Sequence, residues 1–467
     1  MISLILAVGS LCGGALFSLQ TIPVEQPDAQ CFFAEADGRS GGELVVIDGY
    51  RLSVHPGARA EESFSILLEP ETSAVDVADI DGDGQPDLIA VCGDRVLKHS
   101  LELTGSHEPQ VLFSVHSQLS AATPRPFPHV LVVARGGRPL IALPTAEQLE
   151  LRAPSGEIVE SHAIGLDAAH RVSFGQPFSA LPVQPPRLGT FGALEMRIIQ
   201  TAAFVPELPE GLVPLDPAGA PQFGGSVAQA AIAARSDLPE SWPWFRLHPS
   251  GPQDDERVFF AYDPGGARET LVRVRRALPP AAGRGRELKL SGVQRYPGMA
   301  IPCSTVVPDF NGDGYADLLL WNATAPTPTV GALTRALTEG YWSVRLTVHL
   351  FDPALGRYSP VPFVVIPLQV PVAWFLADPG SPPVRHLVLD EFNGNDRTDL
   401  LCAIAPDKLA VWVSVPSGIR PEPHQVIQLP GPVQRVELRG DLDGDGRTSL
   451  VLRGPRAFYV LRTRKTG

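Results

Sequence analysis

Apolar residues along this chain come in short runs, each cut off by glycine, proline or a cluster of acids. Such runs, bounded by turn residues and lacking helical spacing, predict buried β-strands. Four segments repeat one pattern: Val75–Val91 (VDVADIDGDGQPDLIAV), Val306–Trp321 (VVPDFNGDGYADLLLW), Leu387–Ile404 (LVLDEFNGNDRTDLLCAI) and Val436–Arg453 (VELRGDLDGDGRTSLVLR). In each, an apolar run leads into a nine-residue acidic, glycine-rich turn and a second apolar run follows. Strand, tight loop, strand is the simplest reading.

Weaker copies share the pattern. Phe32–Ile47 keeps Glu35, Asp37 and Glu43 at matching offsets around Arg39, Val130–Leu143 has two runs around a shortened turn, and Phe245–Tyr262 has strand-like ends. Leu188–Ile199 could supply another strand pair in a proline-rich stretch. Internal repeats of this length, two or more strands each, predict an all-β fold: a β-propeller of four-stranded antiparallel blades carrying calcium loops. Seven blades fit best and eight are the alternative. The chain ends soon after the last repeat, so residues near Thr21–Val24 are expected to complete the final blade, which would leave no free edge. The stretch Gly331–Val370, with alternation in Trp342–Phe351 and a turn at Asp352–Gly356, predicts an inserted hairpin at about 330–370. One propeller domain would then span residues 21–467.

The turns carry the chemistry. In the first, Asp79, Asp81, Asp83 and Asp87 fall at loop positions 1, 3, 5 and 9, and Gln85 at position 7 offers a carbonyl oxygen. Glycines at positions 4 and 6 supply backbone angles that other residues reach at a cost. Crowded carboxylates repel one another unless a cation joins them, and many hard oxygen ligands suit Ca²⁺. The second turn offers Asp309, Asn311, Asp313, Tyr315 and Asp317; the third Glu391, Asn393, Asn395 and Asp399; the last Asp441, Asp443 and Asp445, with Ser449 in place of the ninth acid. An EF-hand is excluded. Its loop needs a glutamate at position 12, where the first two turns have Ala90 and Leu320. For the weaker turns, a loop closed by Asx hydrogen bonds is the alternative to a metal site.

These four turns resemble the FG-GAP/VCBS repeat family, whose best-known members form the propeller of integrin α subunits. A looser likeness extends over most of residues 31–462, although the family's Phe-Gly and Gly-Ala-Pro signatures have only a faint echo at Phe223-Gly224 and Ser226-Val227. The resemblance implies a calcium-binding propeller used in adhesion or surface recognition.

Composition narrows the function further. A net charge of −13 gives no electrostatic basis for binding nucleic acid or an anionic membrane surface. Residues 1–20 (MISLILAVGSLCGGALFSLQ) form an apolar opening that reads as a signal peptide, with a buried N-terminal strand as the alternative. No later stretch is apolar for long enough to cross a membrane as a helix. Cys31, Cys92, Cys303 and Cys402 lack metal-ligand spacing and are expected to be buried thiols. The sequence has no GxSxG, HExxH, GxxxxGK[ST] or GxGxxG motif, and its histidines are scattered singly. The expectation is therefore a non-catalytic, exported binding module for a protein or glycan. A propeller-based extracellular hydrolase or lyase, and a purely structural envelope protein, are the alternatives.

Overall fold

The structure is a computed structural model that describes residues 15–34, 36, 42–55, 63–101, 108–117, 127–128, 131–135, 138–145, 148–163, 189–191, 194–198, 204–206, 213–214, 244–248, 256–263, 269–277, 288–300, 308–323, 330–377, 385–416, 418–442 and 444–464. The expected all-β class is present, and its recurring element is a four-stranded antiparallel sheet, the unit from which propeller blades are made. The chain divides into two compact units, Leu19–Pro221 with Val436–Arg462, and Gln222–Arg435 with the residues at both ends.

In the first unit, one sheet runs through Gln30–Ala34, Glu43–Asp48, Arg51–His55 and Phe64–Leu67. The next is built on Thr72–Ala78, Asp87–Cys92, Arg95–Ser100 and Gln110–Ser114, with the short strand Phe127–Pro128 at its edge. A third contains Val132–Arg135, Arg138–Pro144, Gln148–Arg152 and Ile158–Ala163.

The strand Asp87–Cys92 explains why the apolar runs do not alternate. Leu88, Ala90 and Cys92 face a core shared with Val45, Ile47, Leu52 and Val54 of the preceding sheet. Ile89 and Val91 face a second core with Leu131, Ile141 and Leu143 of the following sheet. A strand buried on both faces needs an apolar residue at every position. Each fully buried leucine, isoleucine or valine contributes about 1.5–3 kcal/mol relative to exposure, so these shared cores bind one sheet to the next.

The final sheet joins the two ends of the chain. Its order places Phe17–Pro23 beside Ala457–Thr463, followed by Ser449–Arg453 and Arg435–Gly440. The pairing expected near Thr21–Val24 thus starts earlier, at Phe17, within the stretch read from sequence as a leader; residues 1–14 of that leader lie outside the described residues. Arg453 fastens the link. It is buried, donates to the carbonyls of Ala29 (3.0 Å), Gln26 (3.3 Å) and Pro27 (2.6 Å), and lies 4.5 Å over the Phe458 ring. Three backbone acceptors for one guanidinium satisfy a charge that burial would otherwise penalise.

The second unit repeats the architecture. Trp244–Arg246, Arg257–Asp263, Glu269–Ala277 and Leu288–Leu290 form one sheet. Met299–Ala300, Leu318–Ala323, Tyr341–His349 and Val364–Pro371 form the next, and Arg385–Asp390, Asp399–Ala405, Lys408–Trp412 and Gln425–Gln428 another. The hairpin expected at 330–370 is present, but as the third and fourth strands of its sheet and not as an addition to it. Its register requires this, since Leu318–Ala323 pairs along its whole length with Tyr341–His349. The helix Val330–Glu339 precedes the hairpin, and a two-residue-a-side hairpin, Phe351–Asp352 with Arg357–Tyr358, caps it. No helix among the described residues is long and apolar enough to cross a membrane. Cys31, Cys92 and Cys402 are buried and form no disulfide with one another, and Cys303 lies outside the described residues. Leu188–Ile199 does contain a strand pair, Gly189–Phe191 with Leu194–Ile198.

Candidate functional site

All four acidic turns connect paired antiparallel strands or lead directly into a sheet's buried central strand, and in each the first- and fifth-position side chains accept backbone N–H groups of the same loop. The first-position acid turns inward to accept backbone N–H groups from the glycine-rich middle of its own loop. Asp79 Oδ1 accepts from Gly82 (2.7 Å) and Oδ2 from Gly84 (2.9 Å). Asp309 accepts from Gly312, Asp313 and Gly314 at 2.7, 3.2 and 2.9 Å, and Asp441 from Asp445 and Gly446 at 3.1 and 2.7 Å. The fifth position closes the next step: Asp83, Asp313, Asn395 and Asp445 accept from Gln85, Tyr315, Arg397 and Arg447. Gly82 and Gly84 have φ of 78° and 82°, and Gly312 and Gly314 of 74° and 83°, so the left-handed steps explain the glycines.

One repeated feature escaped the sequence reading. Position 2 of every turn is a fully buried apolar residue: Ile80, Phe310, Phe392 and Leu442. It anchors the loop to the core. The signal was present as an I/F/L between an acid and a second acid or an asparagine.

The ninth-position acids are buried and do structural work as well. Asp317 Oδ2 accepts from Phe310 N at 2.8 Å and Oδ1 from Phe351 N at 3.3 Å, tying the loop's second residue to the strand-end beyond. Asp399 does the same for Phe392 N (3.0 Å) and Ser414 N (2.7 Å). Burial pushes the Asp317 carboxyl well above the usual carboxylate range and the Asp399 carboxyl up to about 7, and neighbouring acids add to both shifts. Ser449 holds this position in the last turn, and its buried hydroxyl has no hydrogen-bond partner.

In the first turn, carboxylate oxygens of Asp79, Asp81 and Asp87 lie within 4.8 Å of one another, a group that could hold a metal ion. Asp83 does not join them, and it is exposed together with Gln85. Lys98, on Arg95–Ser100, the second strand beyond the loop, reaches this group: its ammonium pairs with Asp81 and with Asp87, the latter at 2.9 Å. The hydrogen bond from Lys98 lowers the Asp81 pKa, whereas burial raises that of Asp87 despite the same partner. Sequence reading missed Lys98, because only strand register brings it to the loop.

The second turn is arranged differently. Among the described residues no lysine, arginine or histidine pairs with Asp309, Asp313 or Asp317. Asn311 donates its amide to Asp313 at 2.9 Å. The Tyr315 ring is packed away against Phe351 and His248, with ring centroids 5.3 and 4.5 Å off, so only its backbone carbonyl could serve a metal. The third turn braces the second: Thr398 Oγ1 accepts from Asp309 N (2.8 Å), and Arg397 Nε donates to Asn311 O (3.1 Å).

The third turn is closed by its own side chains. Glu391 accepts from the backbone of Asn393, Gly394 and Asn395, and the amides of Asn393 and Asn395 both donate to Ser414 O, at 3.4 and 2.6 Å. Asp396 takes the left-handed conformation (φ 58°) that glycine holds elsewhere. In the last turn Asp443 lies outside the described residues, as do Glu35, Asp37 and Arg39 of the weak first copy and the Phe223-Gly224 echo.

An all-oxygen donor set at a glycine-wound turn fits a hard cation such as Ca²⁺ and suits softer metals poorly. No family model matches the chain, and no curated protein matches it. Among solved structures, the chain is similar to BBS1N in two crystal structures of its complex with ARL6DN, one soaked with mercury and one with lead. Identity is 11% in both, the alignment covers 96% of this chain and 97% or 98% of that chain, and the TM-score is 0.29. A likeness at that score carries no argument about what this chain binds or does.

Proposed function

We propose that this chain is an exported, calcium-binding β-propeller of the FG-GAP/VCBS type that acts as a non-catalytic binding module for a protein or glycan. The observation that carries the reading is one turn geometry, repeated four times, that directs acid oxygens inward on a glycine-wound backbone. Asp309, Asn311, Asp313, the Tyr315 carbonyl and Asp317 would hold calcium in the second turn, and Asp441, Asp443 and Asp445 in the last. The ion would supply the positive charge that crowded carboxylates need, stiffening the loop between two sheet strands. The end-to-end sheet supports closure into a ring, because Phe17–Pro23 covers what would be the free edge of Ala457–Thr463.

Export follows from the apolar opening. A leader would have to be cut ahead of Leu16, whose side chain is buried and whose carbonyl accepts from Arg464 N at 2.8 Å. N-terminal sequencing of protein from the native host tests this, and intact Met1 on cytoplasmic material contradicts it. The binding role is tested by passing the native exported fraction, and a glycan array, over the immobilised protein with calcium and with chelator. Calcium-dependent retention of a defined protein or glycan supports the reading. Turnover in a hydrolase and lyase screen would replace it with the enzymatic alternative, and the absence of both would favour a structural envelope protein.

A further inference from the structure

The four turns can be aligned residue by residue through strand register, and the alignment isolates one position. Ile89, two residues beyond the first turn, lies opposite Lys98. The same step after the second, third and last turns pairs Leu319 with Val348, Leu401 with Val411, and Val451 with Val460. Three turns therefore have a buried valine where the first has a lysine. That lysine does not run out to solvent: its side chain is only 16% exposed, and the ammonium sits between Asp81 and Asp87, two of the three acids that converge there.

We propose that Lys98 is a built-in cation of the first turn, which lets this turn hold its acids together without calcium while the second turn depends on the metal. This rests on the calcium reading of the other turns but makes a separate claim. An ammonium on a tether gives the loop a positive charge at no cost of capturing an ion from solution. Calcium could enter among Asp79, Asp81 and Asp87 only by displacing it, because two cations cannot share three carboxylates at this spacing without strong repulsion.

The test is calorimetric titration with calcium, with melting in chelator, on the full chain and two variants. Lys98→Met should bind one equivalent more than the parent, and in chelator it should melt below the parent, with calcium restoring the loss. Asp81→Asn in the parent should leave the number of calcium equivalents unchanged. The proposal is overturned if Lys98→Met binds no more calcium than the parent, or if Asp81→Asn removes an equivalent. Should Lys98→Met fail to fold, the Asp81→Asn titration decides by itself. If the parent binds no calcium yet Lys98→Met binds one equivalent, the metal reading of the other turns fails while this inference stands.

Discussion

The first and second acidic turns share a backbone and differ in where a cation meets it: Lys98 pairs with two carboxylates of the first, whereas Arg397 meets the second at the Asn311 carbonyl. Both present an inward first-position aspartate, two left-handed glycines and a buried ninth aspartate. Around Asp87 the compensating group is the Lys98 ammonium. Around Asp317 it is two backbone N–H groups, from Phe310 and Phe351, and the nearby Arg397 guanidinium donates to the Asn311 carbonyl and not to a carboxylate of the turn. The lesson is that a ligand motif describes only half of a site; the other half is set by which residue the adjoining strand delivers.

The largest effect that sharpens this contrast is expected at the ninth position. Asp317→Ala leaves two buried N–H groups without an acceptor and should destabilise the protein by about 3 kcal/mol. Asp87→Ala leaves Lys98 paired with Asp81 and should cost less than half as much. Denaturant unfolding of the two variants checks the order, and equal losses would break the contrast.

Calcium linkage comes next. At calcium about tenfold above the dissociation constant, an occupied site contributes roughly 1.4 kcal/mol. Asp309→Ala should lose that increment, whereas Asp79→Ala should keep it. Thermal melts with and without calcium read the difference directly. A gain of similar size is expected from Ser449→Asp, since the new carboxylate would fill a buried position whose hydroxyl now lacks a partner and would accept from Leu442 N as Asp317 does from Phe310 N. A Ser449→Asp protein with unchanged calcium affinity would show that the ninth acid is structural only.

Smallest is a pH effect that both turns should share. Burial, with the Arg462 charge, lowers the His55 pKa from 6.5 to about 4. A depressed folded value means its stabilising contribution is complete above about pH 6.5 and is lost as pH falls toward 4. The loss due to His55 between about pH 7 and pH 6 should be under 1 kcal/mol, read as the difference between the parent and His55→Gln, because Asp399, pushed up to about 7, gains stability as pH falls over the same range. Because His55 bonds to Ser53 and touches neither turn, the Asp79→Ala and Asp309→Ala proteins should show the same slope.

Much of this was legible in the sequence. The turn grammar marked strand ends correctly, and the short apolar runs proved to be strands buried on both faces, as Asp87–Cys92 shows. The closing strand was anticipated four residues late, because Phe17–Gln20 runs on directly from the apolar opening and was counted as part of the leader. What stayed hidden depends on register. Lys98 lies eleven positions beyond Asp87, and only the pairing of Ile89 with Lys98 brings it to the acids. The asparagines of the third turn looked like ligands, yet their amides are spent on Ser414 O, an acceptor delivered by another strand-end. The helix Val330–Glu339 was overlooked because the β-alternation just after it set the reading for the whole stretch.

The central claim is that the second and last turns are calcium sites, and one measurement reaches it most directly: the melting temperature of the parent protein in chelator, then after adding back calcium or magnesium. Chelation should lower the melting temperature, calcium should restore it in full, and magnesium, which holds its water and demands a stricter octahedron, should restore it poorly. A melting temperature that chelator leaves unchanged would contradict the account at its base.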